Sequence, residues 1–416
     1  MTTNFADYPF SVEMRSDGHL IDSGIMSAIM DLIIKNQGVY EIHEFTVGRT
    51  NDDPSRARFT VYAKTAHDLG RLREGLHGLG SIPVVEEDVL LQPALQDWVV
   101  PENFYSTTNH RTEVKVAGTW YTAQNQRMDA VLVCRPVQNG WEVFCRKLRD
   151  VKANDQVVCG IKGIRILPEF KERDRDEFAF MNSEVSSERR VRIAVGKIAR
   201  VIHEKRRQGG KIGITAGPVV IHTGGAEPLA KMIRSGYVDF LLSGNALAVH
   251  DIEQNLFKTS LGIDVSSGEP VHDGHKNHMR AINAVFKAGS IKAAVEQGVI
   301  TQGIFYECIQ KNVPFVLAGS IRDDGPLPEV VTDMVQAQAA YFKHLQECSV
   351  MLILSTMLHG IGVGNMLPGC VKTICVDINP AVVTKLADRG SHQTIGIVTE
   401  VGTFLSLLLQ ELQALE

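Results

Sequence analysis

Residues 373–380, TICVDINP, hold four mostly β-branched or apolar residues, then an acid, then Asn379-Pro380. A run this short and apolar reads as a strand buried on both faces, and the Asn-Pro pair closes it. Buried strands of this kind belong to parallel sheets covered by helices on both sides. The terminal Asp377 then has two readings. Its carboxylate can form a turn or a helix cap, or it can accept from a sugar hydroxyl, as acids at strand tips do in dinucleotide sites.

The same texture recurs outward from this stretch, from residue 181 to 416. Strand-like runs appear at KIGITAG (211–217), VDFLLSG (238–244), PFVLAGS (314–320), SVMLILS (349–355) and KTICVDI (372–378). Helical spacing separates them, from the long segment Glu188 to Gln208 through to EVGTFLSLLLQELQAL at 400–415. Apolar strands alternating with helices predict an α/β domain with a doubly wound parallel sheet. Two further regions precede it. Residues 1–95 read as helix, strand, strand, helix, which suggests a small α/β module of ferredoxin-like type. Residues 96–180 carry short alternating runs with glycine turns, predicting a small β-rich domain, and the charged run 169–178 marks its end.

At 416 residues, with 44% hydrophobic and 22% charged residues, the chain has the balance of an ordinary globular protein. A net charge of −5 gives no electrostatic case for nucleic acid or an anionic membrane. Seven cysteines, an odd number with no C-x-x-C pair, point to reduced thiols in a cytoplasmic protein and not to zinc or disulfides. No signal peptide and no membrane-spanning run is visible.

In a doubly wound sheet, ligands lie beyond the carboxyl ends of the strands. Those ends lead to Asn245-Ala246, to Asp323-Asp324-Gly325, to Thr356-Met357-Leu358-His359 with the glycines of HGIGVGN, and to Asp377. Gly360, Gly362 and Gly364 form G-x-G-x-G, not G-x-G-x-x-G, and no long helix is evident before the next strand. A glycine cluster followed one strand later by an acid nevertheless meets the needs of a dinucleotide: close backbone approach, amides facing pyrophosphate, and a carboxylate for the ribose. Asp377 is therefore read as a ribose contact. Asp323-Asp324-Gly325 is either a turn or a polar contact to cofactor or substrate. Thr399-Glu400-Val401 opens the last helix, with Thr399 as its cap or its amides facing an anion. Proton-transfer candidates are Lys162, His222 and the pair His250-Asp251. Cys159 reads as a small core residue.

The motifs GHLIDSGIM, TTNHRTEVKVAGTW with MDAVLVC, SGNALAVHDIE, GSIRDDGPLPEV, STMLHGIGVGN and CVDINP together resemble the LOR/SDH conserved-region family. Among its members the chain is most similar to archaeal-type ornithine cyclodeaminases and to the C-terminal half of cyanobacterial arginine dihydrolase/ornithine cyclodeaminases. Its last domain resembles the NAD-binding domain of deoxyhypusine synthase. The resemblance implies bound NAD, with contacts at Asn245, Ala246, Asp324, Thr356, Met357, Leu358, His359, Asp377, Glu400 and Val401. It implies conversion of L-ornithine to L-proline and ammonia, with hydride leaving Cα and later returning. Lys162, His222 and Asp251 are the catalytic candidates, and Arg165 or Arg322 could hold the substrate carboxylate. No metal is expected. A counterpart of the guanidine-modifying domain is not seen, so arginine hydrolysis is not expected. A small amino-acid substrate and a cytoplasmic homo-oligomer complete the reading. The alternatives are an NAD-dependent amino-acid or imine oxidoreductase, a deoxyhypusine-synthase-like transferase, or a non-enzymatic sensor.

Overall fold

A computed structural model of the chain describes residues 7–21, 24–49, 53–84, 87–167, 188–261, 263–264, 271, 274–323, 325–389 and 394–416. Asp324, the charged run 169–178 and the boundary expected at 180 lie outside them. Two compact units form: one from the N-terminal part up to Arg175 with Pro368–Cys370, the other from the remainder.

The first unit begins with β1 (Phe10–Gly18), β2 (Val39–Thr46), β3 (Ser55–Ala63) and β4 (Ser81–Pro83), with helices Ile25–Lys35 and Ala66–Gly78. The sheet order is β2-β3-β1-β4 with antiparallel pairing, a ferredoxin-like βαββαβ arrangement. Alternation on β3 explains the layering. Ala57, Phe59, Val61 and Ala63 are buried with Ile29, Ile33, Leu72 and Leu76 of the helices. The opposite face carries ion pairs such as Arg56 Nε to Asp17 Oδ1 at 2.6 Å. The sequence pattern had indicated only the two helices and β2–β3. The central strand β1 escaped it because Glu13, Arg15 and Asp17 alternate with few large apolar residues.

The unit continues with β5 (Leu90–Pro93), β6 (Arg111–Val116), β7 (Thr119–Thr122), β8 (Val131–Val137), β9 (Gly140–Arg146), β10 (Gln156–Cys159) and β11 (Ile164–Leu167). These make two antiparallel sheets, β5-β10-β8-β9 and β11-β6-β7, closing on Val114, Leu132, Val143, Val158 and Ile164.

The second unit is built on β12 (Lys211–Ala216), β13 (Phe240–Gly244), β16 (Phe315–Ala318), β17 (Val330–Val331), β18 (Cys348–Leu354), β19 (Lys372–Asp377) and β20 (Thr394–Val398). A two-stranded hairpin, β14 (Thr259–Ser260) with β15 (Ile263–Asp264), stands apart. The seven strands are parallel in the order β17-β16-β13-β12-β18-β19-β20. The chain thus builds outward from β12 on one side, then returns to build outward from β18 on the other.

Period-two alternation sends Ile212, Ile214, Leu241, Leu352, Val376 and Ile397 into one core layer, with helices Glu188–Arg207, Ala226–Arg234, Asn245–Phe257 and Val401–Ala414. Phe240, Leu242, Met351, Ile353, Cys375 and Val398 face the other layer, with helices Met334–Leu345, Met357–Met366 and Pro380–Arg389. Each such side chain contributes about 1.5–3 kcal/mol on burial. Helix 188–207 shows why it docks: Val191, Ala194, Val195, Ile198, Ala199 and Ile202 recur at helical spacing and are all buried. The C-terminal helix 401–414 likewise buries Phe404, Leu405, Leu408, Leu409 and Leu412, so its apolar face packs within its own unit.

Gly213 in β12 leaves room for its neighbours. A Cβ there would lie 2.2 Å from Phe240 Cζ and 2.8 Å from Met351 Cε. Gly213→Ala should therefore cost about 1–3 kcal/mol by overpacking. A denaturant midpoint lowered in Gly213→Ala, and partly recovered when Phe240→Leu is added, is the expected result.

Candidate active site

The reversal of strand order falls between β12 and β18, and both chain segments leave the sheet there at its carboxyl edge. Their backbones nearly touch. A Cβ on Gly217 would sit 2.2 Å from Ser355 O, while Gly217 N donates to Leu354 O at 2.9 Å. Ser355 itself is held at φ 46°, a left-handed conformation uncommon for a residue with a side chain. Such backbone constraint concentrates at functional sites. Sequence reading passed over Gly217, although a glycine closing an apolar strand is the signal that could have marked it.

Beyond β18, Thr356 leads into helix Met357–Met366. This corrects the reading of the glycine run: Gly360, Gly362 and Gly364 lie inside a ten-residue helix. Gly360 allows close helix–strand packing, since a Cβ there would meet Ile353 Cγ2 at 2.7 Å. The groups able to meet an anion are instead the first-turn amides of that helix, directly at the strand tip. Thr356 Oγ1 lies 3.2 Å from His359 Nδ1. The His359 ring covers the end of β13, where a Cβ on Gly244 would be 2.8 Å from its Cε1. Burial holds the His359 ring below the ordinary histidine range, opposed by Asp323.

Asn245 and Ala246 open helix Asn245–Phe257 after β13. Asn245 is buried, and its Oδ1 accepts from the Leu327 amide at 3.1 Å. At the end of β19, Asp377 Oδ1 accepts from the Asn379 amide at 2.8 Å. The turn reading of this acid is therefore real, and the half-buried carboxylate still stands at the strand tip. Burial raises its pKa, against the Asn379 and Ile378 amides. After β20, the cap position of helix 401–414 is Glu400 and not Thr399, and Glu400 Oε2 accepts from Thr403 Oγ1 at 2.8 Å. Val401 is buried, and Gly402 lets the helix start approach Thr223 O, 1.9 Å from where a Cβ would be. From β13 to β19 these groups span three strand spacings, about 14 Å. Asp323 Oδ2 accepts from the Ser320 amide at 2.8 Å, in keeping with the turn, one of the two readings open for it.

The catalytic candidates separate. His222 ends the short helix Val219–His222 after β12, exposed, with Nδ1 2.5 Å from Ser260 Oγ. Desolvation lowers its pKa, His250 lowers it further, and Glu253 opposes both. Asp251 points the other way, into the protein. It is 1% exposed, and its two oxygens accept from the Ile304 and Phe305 amides at 3.1 and 3.0 Å. Burial pushes it up to about 6, the two amides opposing. Both oxygens serve the start of helix Ile304–Gln310. Lys162 lies in the first unit, exposed, with Nζ 2.7 Å from Glu87 Oε2. Arg165 is paired with Glu113 and stacked over Trp120 at 4.4 Å, and Arg322 belongs to an exposed turn. Cys159 is buried. Glu253, Ser260 and Gly217 are the site-side residues that sequence reasoning missed.

Three family regions match in succession: the LOR/SDH bifunctional enzyme conserved region over residues 11–110, and the arginine dihydrolase ArgZ-like C-terminal first region over 111–195 and Rossmann-fold region over 196–408. The chain is 49% identical to the ornithine cyclodeaminase of Methanocaldococcus jannaschii, over 98% of this chain and 97% of that protein. The apo crystal structure of ArgZ, a cyanobacterial arginine dihydrolase, superposes with a TM-score of 0.82 at 43% identity, over 98% of this chain and 58% of that one. The ternary complex of AgrE with ornithine and NAD+ is similar at 46% identity and a TM-score of 0.54, again over 98% and 58%. AgrE of Nostoc sp. is a bifunctional arginine dihydrolase/ornithine cyclodeaminase, and the chain spans 58% of its length. With these regions in order from residue 11 to 408 and identity near one half across full-length archaeal relatives, the chain belongs to the LOR/SDH-region family that ends in the ArgZ-like Rossmann fold.

Proposed function

We propose that the chain is an NAD-dependent ornithine cyclodeaminase, converting L-ornithine to L-proline and ammonia with the cofactor restored in each turnover. The observation that carries this reading is the near-half identity to archaeal enzymes of that name over almost the whole of both chains. The carboxyl edge of the seven-stranded sheet fits the cofactor, because the start of helix 357–366 and the Asp377 carboxylate stand at the tips of adjacent strands there. Asn245, Ala246, Thr356, Met357, Leu358, His359, Asp377, Glu400 and Val401 would hold it, with Asp324 beyond the described residues. Bound there, NAD supplies a reversible hydride acceptor for the substrate Cα. First-turn amides of helix 357–366 meet pyrophosphate charge, and Asp377 accepts from the adenosine ribose.

His222 is the proton acceptor in this reading. Its ring is accessible, its Nδ1 is anchored on Ser260, and desolvation lowers its pKa, which favours the proton-accepting form. A proton must leave the α-ammonium before an imine forms, and ammonia must later depart. One imidazole that takes a proton and returns it serves both steps. A cytoplasmic homo-oligomer acting in proline formation belongs to the same proposal. Among the described residues no helix is long and apolar enough to cross a membrane. Light scattering at micromolar concentration should give a mass above that of one chain, and a clean monomer would end the oligomer reading.

Asp377→Asn should weaken NAD binding and narrow the preference for NAD over NADP, because a 2′-phosphate would otherwise meet a carboxylate. Unchanged NAD affinity in a titration would reduce Asp377 to a turn residue. Ornithine deuterated at Cα should yield proline that keeps most of the label, with equimolar ammonia and no lasting NADH. Steady NADH release, or label lost to solvent, would instead favour an amino-acid oxidoreductase.

A further inference from the structure

One turn behind Asn245 and Ala246, helix Asn245–Phe257 carries a polar pair that the chemistry above leaves unused. His250 Nδ1 and Glu253 Oε2 are 2.9 Å apart. Glu253 is fully buried. Its Oε1 accepts from Thr259 Oγ1 at 2.9 Å and its Oε2 from the Leu261 amide at 3.3 Å. Thr259 in turn accepts from Asn277 Nδ2 at 3.0 Å. The carboxylate is thus fixed from its own helix, from the hairpin β14–β15 and from helix Asn277–Ala288. A buried acid held this firmly is costly unless paired, and His250 is the histidine it meets. The His250 ring stands edge-to-face against His222, with centroids 5.0 Å apart and planes at 64°.

We propose that His250 and Glu253 are positioning residues for His222, a hydrogen-bonded prop that orients its ring and lets one proton come and go. The proposal rests on the ornithine cyclodeaminase reading for its substrate. A lone imidazolium at 250 would repel a proton on His222, and a lone carboxylate at 253 would trap one. Paired, their fields largely cancel at the ring. Ser260 anchors Nδ1, which leaves Nε2 to the substrate. Among the described residues, helix 401–414 also meets the 223–225 segment, through Gly402 and Leu405, which carry no charge. In the step itself, the ammonium N–H bond breaks as Nε2–H forms, and the same proton later leaves with ammonia. His222 ends as it began.

The test follows the His222 ring by NMR titration in the full chain, beside the pH dependence of kcat/KM for ornithine with NAD. His250→Gln removes the imidazole that stands between Glu253 and His222 and leaves the Glu253 carboxylate with its threonine and amide donors. The His222 midpoint should then rise by on the order of one pH unit, and the acid limb of kcat/KM should rise with it. Activity below that limb should fall about tenfold, while the alkaline plateau is largely kept. Adding Glu253→Gln should bring midpoint and limb back toward the parent values. An unmoved His222 midpoint in His250→Gln, or a double variant that folds without reversing the shift, overturns the pairing. His250→Gln alone decides by its titration should the double variant not fold. The expected ring shifts in a protein that does not turn over ornithine would uphold the pairing and overturn the substrate reading.

Discussion

The close approach of Gly217 to Ser355 is the constraint on which the second unit turns. Two parallel strands leave the sheet side by side and then run to opposite halves of it, so their exits crowd. The crowding is met by a residue without a Cβ on one strand and by a left-handed serine on the other. Among the described residues, three side chains stand at the carboxyl edge: His359 over the end of β13, Asp377 at the tip of β19, and His222 just after β12.

Among the described residues, the four most deeply buried acids follow one rule. Each of them is matched to donors. Asp251 takes two amides, Glu253 takes a threonine, an amide and a histidine, and Glu307 takes Arg234 Nε and Nη2 at 3.0 and 2.6 Å. Glu113 in the first unit is paired with Arg165 in the same way. An unmatched buried carboxylate would cost several kcal/mol. The rule separates adjacent residues on one helix. His250 stands against His222, whereas Asp251, next in sequence, is turned inward to hold helix 304–310.

Much of the fold was legible because its causes are local. Strands buried on both faces are continuous apolar runs, as in SVMLILS, and helix 188–207 repeats its buried residues at 3.6 spacing before stopping at Gly209. Strand tips then identify the carboxyl edge without any knowledge of pairing. The glycines of HGIGVGN misled for an equally physical reason. Glycine permits a loop at a phosphate and close packing of a helix on a strand, and only the neighbours distinguish the two. Gly360 stands against Ile353, so packing decided it.

The sequence by itself determined the periodicities, hence the α/β class, the parallel sheet and the segments that follow each strand, since these depend on residues within a few positions of one another. Tertiary structure alone decided which side chains meet: that His222 rests on Ser260, 38 residues on, that His250 stands between His222 and Glu253, and that Asp251 faces inward. Those choices depend on strand order and on the rotation of one helix about its axis. Both are set by burying apolar area across the whole sheet, a sum to which distant residues contribute and which no local window contains.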